Sequence, residues 1–212
     1  TTTTTLIGEI LKTAGMKVFV GGNIGNPLIE YVCGAQDAAY AVVEVSSFQL
    51  QWTERLHPVC AVLMNVTSDH IDYHGDFATY RRIKERVFMN QTSADLAVLN
   101  GEEVETAALS RRLASRACTF TAVEKLDQGL YVDGGNIVYK ESEASAPETY
   151  PLSIIKLPGR HNIHNVMAAA AASRFCGCAP AAIIRCIENF RGIAHRIEYA
   201  GQKKGVAYYD DS

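Results

Sequence analysis

Glu44 is the residue of this chain that most needs a partner. It closes the run Ala41-Val42-Val43-Glu44, apolar up to that carboxylate, and the pattern reads as a strand buried on both faces. A lone buried carboxylate is costly, so something is expected to bind it. In an open parallel sheet ligands sit at the carboxyl ends of the strands, and Ser46 and Ser47 follow as good caps for a helix opening on Phe48-Gln49-Leu50. A second uncharged run, residues 59–66, leads into a second polar cluster with Asp69, His70 and Asp72. A carboxylate and an imidazole with room for waters and phosphate oxygens suit Mg²⁺, which takes few protein ligands. That would be phosphoryl-transfer chemistry; the same cluster also reads as a capped loop. Lys84, among Arg81, Arg82, Glu85 and Arg86, reads from spacing as part of a solvated helix face. The glycines of Gly21-Gly22-Asn23-Ile24-Gly25 fit a strand-to-helix turn or a loop that approaches a ligand, the turn being the simpler reading.

The elements that must position these residues alternate. Residues 1–14 carry Leu6, Ile7, Ile10 and Leu11 on one helical face, with Gly15 as a stop. Short strands are expected at 17–20, 41–45, 59–66, 96–100 and 118–121, and helices at 76–88, opened by Asp76 as N-cap, and at 103–112. Strands alternating with helices indicate βαβ units with right-handed crossovers. Residues 129–139 form a hairpin about a glycine turn, 141–149 a solvated connection, and 153–157 a returning strand. An Ala-rich helix over 165–175 and one opened by Pro180 follow. The fold class is therefore α/β, a mostly parallel sheet flanked by helices with a small antiparallel addition. Arg191-Gly192 marks a boundary, giving one domain over 1–192 and the start of a second over 193–212, where 196–199 and 206–209 pair as strands.

Composition narrows the classes. The chain has 212 residues, 48% hydrophobic and 20% charged, with a formal net charge of -3. No basic footprint for nucleic acid or an anionic membrane is present, and no apolar run approaches the ~20 residues that cross a bilayer. Neither nucleic acid nor a membrane is expected as a partner, and a cytoplasmic location follows. The six cysteines lack C-x-x-C spacing and lie in apolar or helical sequence, as reduced packing residues. The chain opens on five threonines without Met and stops just after a strand pattern, the expectation for a piece of a longer protein.

The residues together resemble one family. Gly21-Gly22-Asn23-Ile24-Gly25, Glu44-Val45-Ser46-Ser47-Phe48-Gln49-Leu50, Asn65-Val66-Thr67-Ser68-Asp69-His70-Ile71-Asp72 with Tyr80 and Lys84, Gly159-Arg160-His161-Asn162 with Asn165, and His195-Arg196 resemble, in order, the motifs of the Mur ligase family. The serine pair before Phe-Gln-Leu is similar to the branch that adds D-glutamate to UDP-N-acetylmuramoyl-L-alanine; a sibling branch adding a diamino acid, where a His-Gly pair is expected after the serines, and a binding module without catalysis are the alternatives. The resemblance implies a P-loop NTPase-like central domain followed by the first strands of a Rossmann-like domain. It implies ATP and two Mg²⁺ ions as cofactors; separately, a monomer is expected. It makes Thr1 the hydroxyl residue after a phosphate-loop lysine, the loop's G-x-x-G-K part being absent here. It makes Thr1, Glu44 and His70 magnesium ligands and Lys84 a carbamylated lysine supporting the second metal, with Lys84, His70 and Glu44 as the catalytic set. Asn23 and Ser46 would contact the muramoyl substrate, Asn162 and Asn165 the adenine, and Arg196 and Asp211 the nucleotide from the next domain.

Overall fold

The chain is described here from a computed structural model, which covers residues 1–211. Ser212, the last residue of the expected second unit, lies outside the described residues.

Helix α1, Thr2–Thr13, buries Leu6, Ile7, Ile10 and Leu11, the stripe the sequence predicts. It is followed by β1, Val18–Gly22, the short helix α2, Leu28–Cys33, β2, Tyr40–Glu44, and α3, Ser47–Gln51. Then come β3, Cys60–Leu63, α4, Ile71–His74, α5, Phe77–Glu85, β4, Leu96–Asn100, α6, Thr106–Arg112, and β5, Arg116–Thr121. Strands β6, Gly129–Asp133, β7, Asn136–Lys140, and β8, Glu148–Pro151, make the antiparallel addition, and α7, His161–Phe175, α8, Pro180–Asn189, β9, Glu198–Lys203, and β10, Val206–Asp210, complete the order.

Six strands form one sheet in the order β3-β4-β5-β6-β7-β8, parallel through β6 and antiparallel beyond it. Strands β1 and β2 pair in parallel as a separate ribbon. Strand β4 is buried at all five positions, and its period-2 alternation divides the core. Leu96 and Val98 face a large cluster with α1, α7 and α8, while Ala97 and Leu99 face a smaller one with Phe88 and Leu109. Helices thus cover both faces, as parallel sheets require. Helix α7 is apolar nearly all round, and residues from Val166 to Ser173 are all buried, the signature of a core helix.

Three expectations are corrected. The strand ending at Glu44 is half-buried rather than buried on both faces, because β2 pairs only with β1 among the described residues. The returning strand is β8, which starts at the end of the stretch read as a solvated connection and closes before residue 153, while Leu152–Ile154 form a 3₁₀ turn; Tyr150 alone carries that strand's burial, so its pattern is faint. The Ala-rich helix starts at His161, four residues early.

Candidate active site

Strand β2 delivers Glu44 to its carboxyl end, where β1 runs beside it in register, Gly22 opposite Glu44. Gly22 has φ 105°, and a Cβ there would lie 2.4 Å from the Glu44 carbonyl oxygen, so only glycine lets the two backbones approach this closely. The chain then turns so that the Asn23 peptide N–H donates to the Glu44 carbonyl at 2.8 Å and Asn23 Nδ2 donates to Glu44 Oε1 at 3.2 Å. Glu44 Oε2 is buried and lies 2.7 Å from the Thr1 backbone nitrogen. Burial pushes the Glu44 carboxyl up, and the hydrogen bond from Asn23 opposes that shift. A carboxylate oxygen in this setting is of the kind that ligates a hard metal ion.

His70 follows β3 in a left-handed conformation, φ 52° and ψ 30°, as the N-cap of α4. Asp69 Oδ1 accepts the His70 peptide N–H at 2.9 Å. The imidazole packs against Phe48 of α3 with ring centroids 4.9 Å apart and edge-on to Tyr80 of α5 at 6.4 Å. The Lys84 ammonium lies over the Tyr80 ring, 5.1 Å from its centroid. Glu44, His70 and Lys84 are therefore joined through the α3 start and Tyr80. Ser46 is the α3 N-cap and forms a capping box with Gln49, so the hydroxyl expected to meet substrate also closes the helix. The solvated-face reading of α5 fails in part. Arg81 and Glu85 are buried at 8% and 9% exposure, since Arg81 pairs with both Glu85 and Glu105, and Arg112 with Glu85.

On the other side of α1 lies a cleft of ≈ 400 Å³ lined by Thr2, Pro158, Asn162, Arg196, Tyr199 and Asp211 among others. Asn162 is 6% exposed and donates from Nδ2 to the Pro158 carbonyl at 2.7 Å. Asn165 does not line the cleft; it braces Asn162, donating to its Oδ1 at 2.9 Å while accepting from Thr3 Oγ1 at 2.9 Å. Asp211 Oδ1 accepts from the Ile197 peptide N–H at 3.3 Å. The first turn of α1 thus spans both halves: Thr1 at Glu44, Thr2 in the cleft, Thr3 on Asn165. The N-terminal N–H groups of a helix have no intrahelical acceptor and carry its positive dipole end, which suits an anion.

Sequence reasoning passes over His74 and Glu102. His74 is 7% exposed and its Nε2 is 3.0 Å from Ser47 Oγ; its i,i+4 spacing from His70 was the available signal. Glu102 meets His164 Nε2 at 2.9 Å and accepts the Ala122 N–H at 2.8 Å, a pairing across 62 residues that no local pattern announces.

Comparison with known proteins identifies the family. The family described as Mur ligase middle domain matches residues 1–173. The UDP-N-acetylmuramoylalanine--D-glutamate ligase of Syntrophus aciditrophicus (strain SB) is 52% identical over all of this chain and 47% of its own length. The protein of the same name from Geotalea daltonii is 44% identical, again over the whole chain and 46% of its length. The chain spans about half the length of the curated relatives it matches. Among solved structures, MurF from Acinetobacter baumannii superposes with a TM-score of 0.77 at 19% identity, over 100% of this chain and 48% of that one. MurF ligase from Thermotoga maritima in complex with ADP gives 0.69 at 20% identity, over 99% and 51%. The chain belongs to the Mur ligase family.

Proposed function

We propose that this chain is the nucleotide-binding middle portion of an enzyme that uses ATP to ligate D-glutamate to UDP-N-acetylmuramoyl-L-alanine in peptidoglycan precursor synthesis. The observation that carries the reading is the first turn of α1, which touches the Glu44 carboxylate on one side and the Asn162 cleft on the other. The name borne by the 52%-identical Syntrophus protein points to the D-glutamate branch, and the ADP in the Thermotoga structure points to the nucleotide.

In this reading, ATP phosphorylates the substrate carboxylate and the amine of D-glutamate attacks the resulting acyl phosphate, releasing phosphate. Asn162, braced by Asn165, would read the adenine edge, with Arg196 and Asp211 closing the cleft on the ribose and phosphate side. The free N–H groups at the start of α1 would hold phosphate oxygens. Thr1, Glu44 and His70 would ligate magnesium, and a carbamylated Lys84 would support a second ion; the buried Oε2 of Glu44 fits that role. Magnesium supplies charge neutralisation between phosphate and carboxylate oxygens when bound. Asn23 and Ser46, which flank Glu44, would orient the muramoyl substrate. Catalysis is then positioning and charge neutralisation, with water kept from the acyl phosphate by closure of a C-terminal domain whose first strands are residues 193–212, the preceding 1–192 being the central domain. The enzyme would work as a cytoplasmic monomer, without nucleic acid or membrane partners; no helix among the described residues is long and apolar enough to cross a membrane. The chain by itself would not turn over.

The test is ADP release by the full-length protein with UDP-N-acetylmuramoyl-L-alanine, comparing D-glutamate with diamino acids. Turnover with D-glutamate, abolished by Glu44→Ala or His70→Ala while the melting temperature holds, is the expected result. A preference for a diamino acid would move the protein to the sibling branch. Near-normal turnover by either variant would remove the metal assignment.

A further inference from the structure

His74 has no part in the chemistry proposed above, yet its own helix opens on His70 and its ring meets α3, which follows Glu44, and α5, which carries Lys84. Its imidazole is 7% exposed. Nε2 is 3.0 Å from Ser47 Oγ, itself on a 5%-exposed residue in the first turn after β2, and Nδ1 is buried without a hydrogen-bond partner. The ring lies between Phe48, with centroids 5.3 Å apart at 35°, and Tyr80, 5.3 Å apart at 38°. Those same two rings are the ones that touch His70, and Tyr80 also underlies Lys84.

His70 needs such a frame. It adopts a left-handed conformation at the head of a helix of only four residues, and neither feature holds itself: a single turn is not stable alone, and a non-glycine residue in that region carries strain unless its surroundings fix it. The last residue of α4 is tied to the start of α3 through the Ser47–His74 hydrogen bond. A buried imidazole with one nitrogen unsatisfied costs free energy, and a phenyl ring would fill the same space without that nitrogen, the Ser47 hydroxyl losing its partner in exchange. The side chain is therefore costlier than the packing alone requires.

We propose that His74 is a positioning residue: through Ser47 and the Phe48–Tyr80 pair it fixes the His70 imidazole relative to Glu44, setting the affinity for a hard divalent cation. The inference rests on the metal reading of Glu44 and His70 but not on which amino acid is ligated. Partners that orient metal ligands from behind typically alter metal affinity about 10–100-fold when removed.

The test uses the full-length protein and Mn²⁺ as probe, its binding read directly by electron paramagnetic resonance without substrate. His74→Phe keeps the ring and deletes the link to Ser47; it is expected to weaken Mn²⁺ binding at least tenfold with the melting temperature unchanged or raised. Ser47→Ala should do the same, and the double variant no more than either alone. His74→Gln, whose amide nitrogen reaches the Nε2 position, should restore binding to within about threefold of the parent. Unchanged Mn²⁺ affinity in His74→Phe, additive losses, or a parent that binds no Mn²⁺ would each overturn the proposal. A protein that binds Mn²⁺ in a His74-dependent way yet fails to release ADP with D-glutamate would retire the ligase reading and leave the positioning role standing.

Discussion

Lys84 illustrates how little a residue's own sequence neighbourhood says about its role. Its flanks are charged and its helix looks solvated, yet the side chain is half-buried and its ammonium rests over the Tyr80 ring beside His70. Beside the magnesium site proposed above a cation would be poorly placed, and conversion to a carbamate would reverse its sign. Lys84→Ala in the full-length protein is expected to lose ADP release by at least a hundredfold and to recover part of it with added short carboxylates such as acetate or formate, since these restore the anion. Intact-protein mass spectrometry under gentle, CO₂-containing conditions should show the parent heavier by one carbamate; an unmodified lysine together with no rescue would remove the assignment.

At the scale of elements, the helix bearing Lys84 is pinned by a charge network rather than by apolar packing alone. Arg81 Nε donates to Glu85 Oε1 at 3.0 Å, Arg81 also reaches Glu105 at the start of α6, and Arg112 at the end of α6 reaches Glu85. The Arg81 and Glu85 side chains are 10% and 8% exposed, so removing one partner strands a buried charge. Glu85→Ala is expected to destabilise the protein by about 3 kcal/mol, the lower end of the range for breaking a buried pair, because Arg81 keeps Glu105. Urea denaturation would measure it. Glu85→Met, offered with Arg81→Leu to replace the pair by apolar volume, should recover most of that loss.

At the scale of the whole molecule, β9 and β10 form an antiparallel ribbon, with a register shift between Tyr208 and Tyr209, whose base is tied by His195. His195 has φ 62°; its Nδ1 lies 2.6 Å from Asp210 Oδ2, and its peptide N–H donates to Glu198 at 2.9 Å. The Asp210 hydrogen bond and charge raise the imidazole above the usual histidine value. A raised folded-state value means that the stabilisation is complete below the unfolded value, about 6.5, and is lost as pH rises through the higher folded value. The His195 ring shifts in an NMR titration should therefore report a midpoint above that of a free histidine, and Asp210→Asn should bring it back. A midpoint unchanged by Asp210→Asn would sever His195 from the ribbon. Because Arg196 and Asp211 both line the cleft beside it, a loosened tie is expected to weaken nucleotide binding at high pH.

Most strands and helices, the alternation that gives a parallel sheet, and the two polar strand ends at Glu44 and His70 were determined by sequence alone, because apolar runs mark strands and helices need caps such as Asp76, whose carboxylate accepts the Thr79 N–H at 2.7 Å; the strand expected at 153–157 was not, since only Tyr150 carries the burial of β8. The Mur ligase motifs were likewise legible in order. What the tertiary structure decided is how those ends meet. The burial of Arg81 and Glu85, the bracing of Asn162 by Asn165 and Thr3, the pairing of Glu102 with His164, and the place of His74 behind His70 all join residues from different elements. Local pattern carries no record of such contacts, since a side chain's environment is set by whatever the fold brings against it. For Glu44 the sequence raised the need for a partner, and only the approach of α1, Asn23 and the Ser47–His74 pair gave that need a built surrounding.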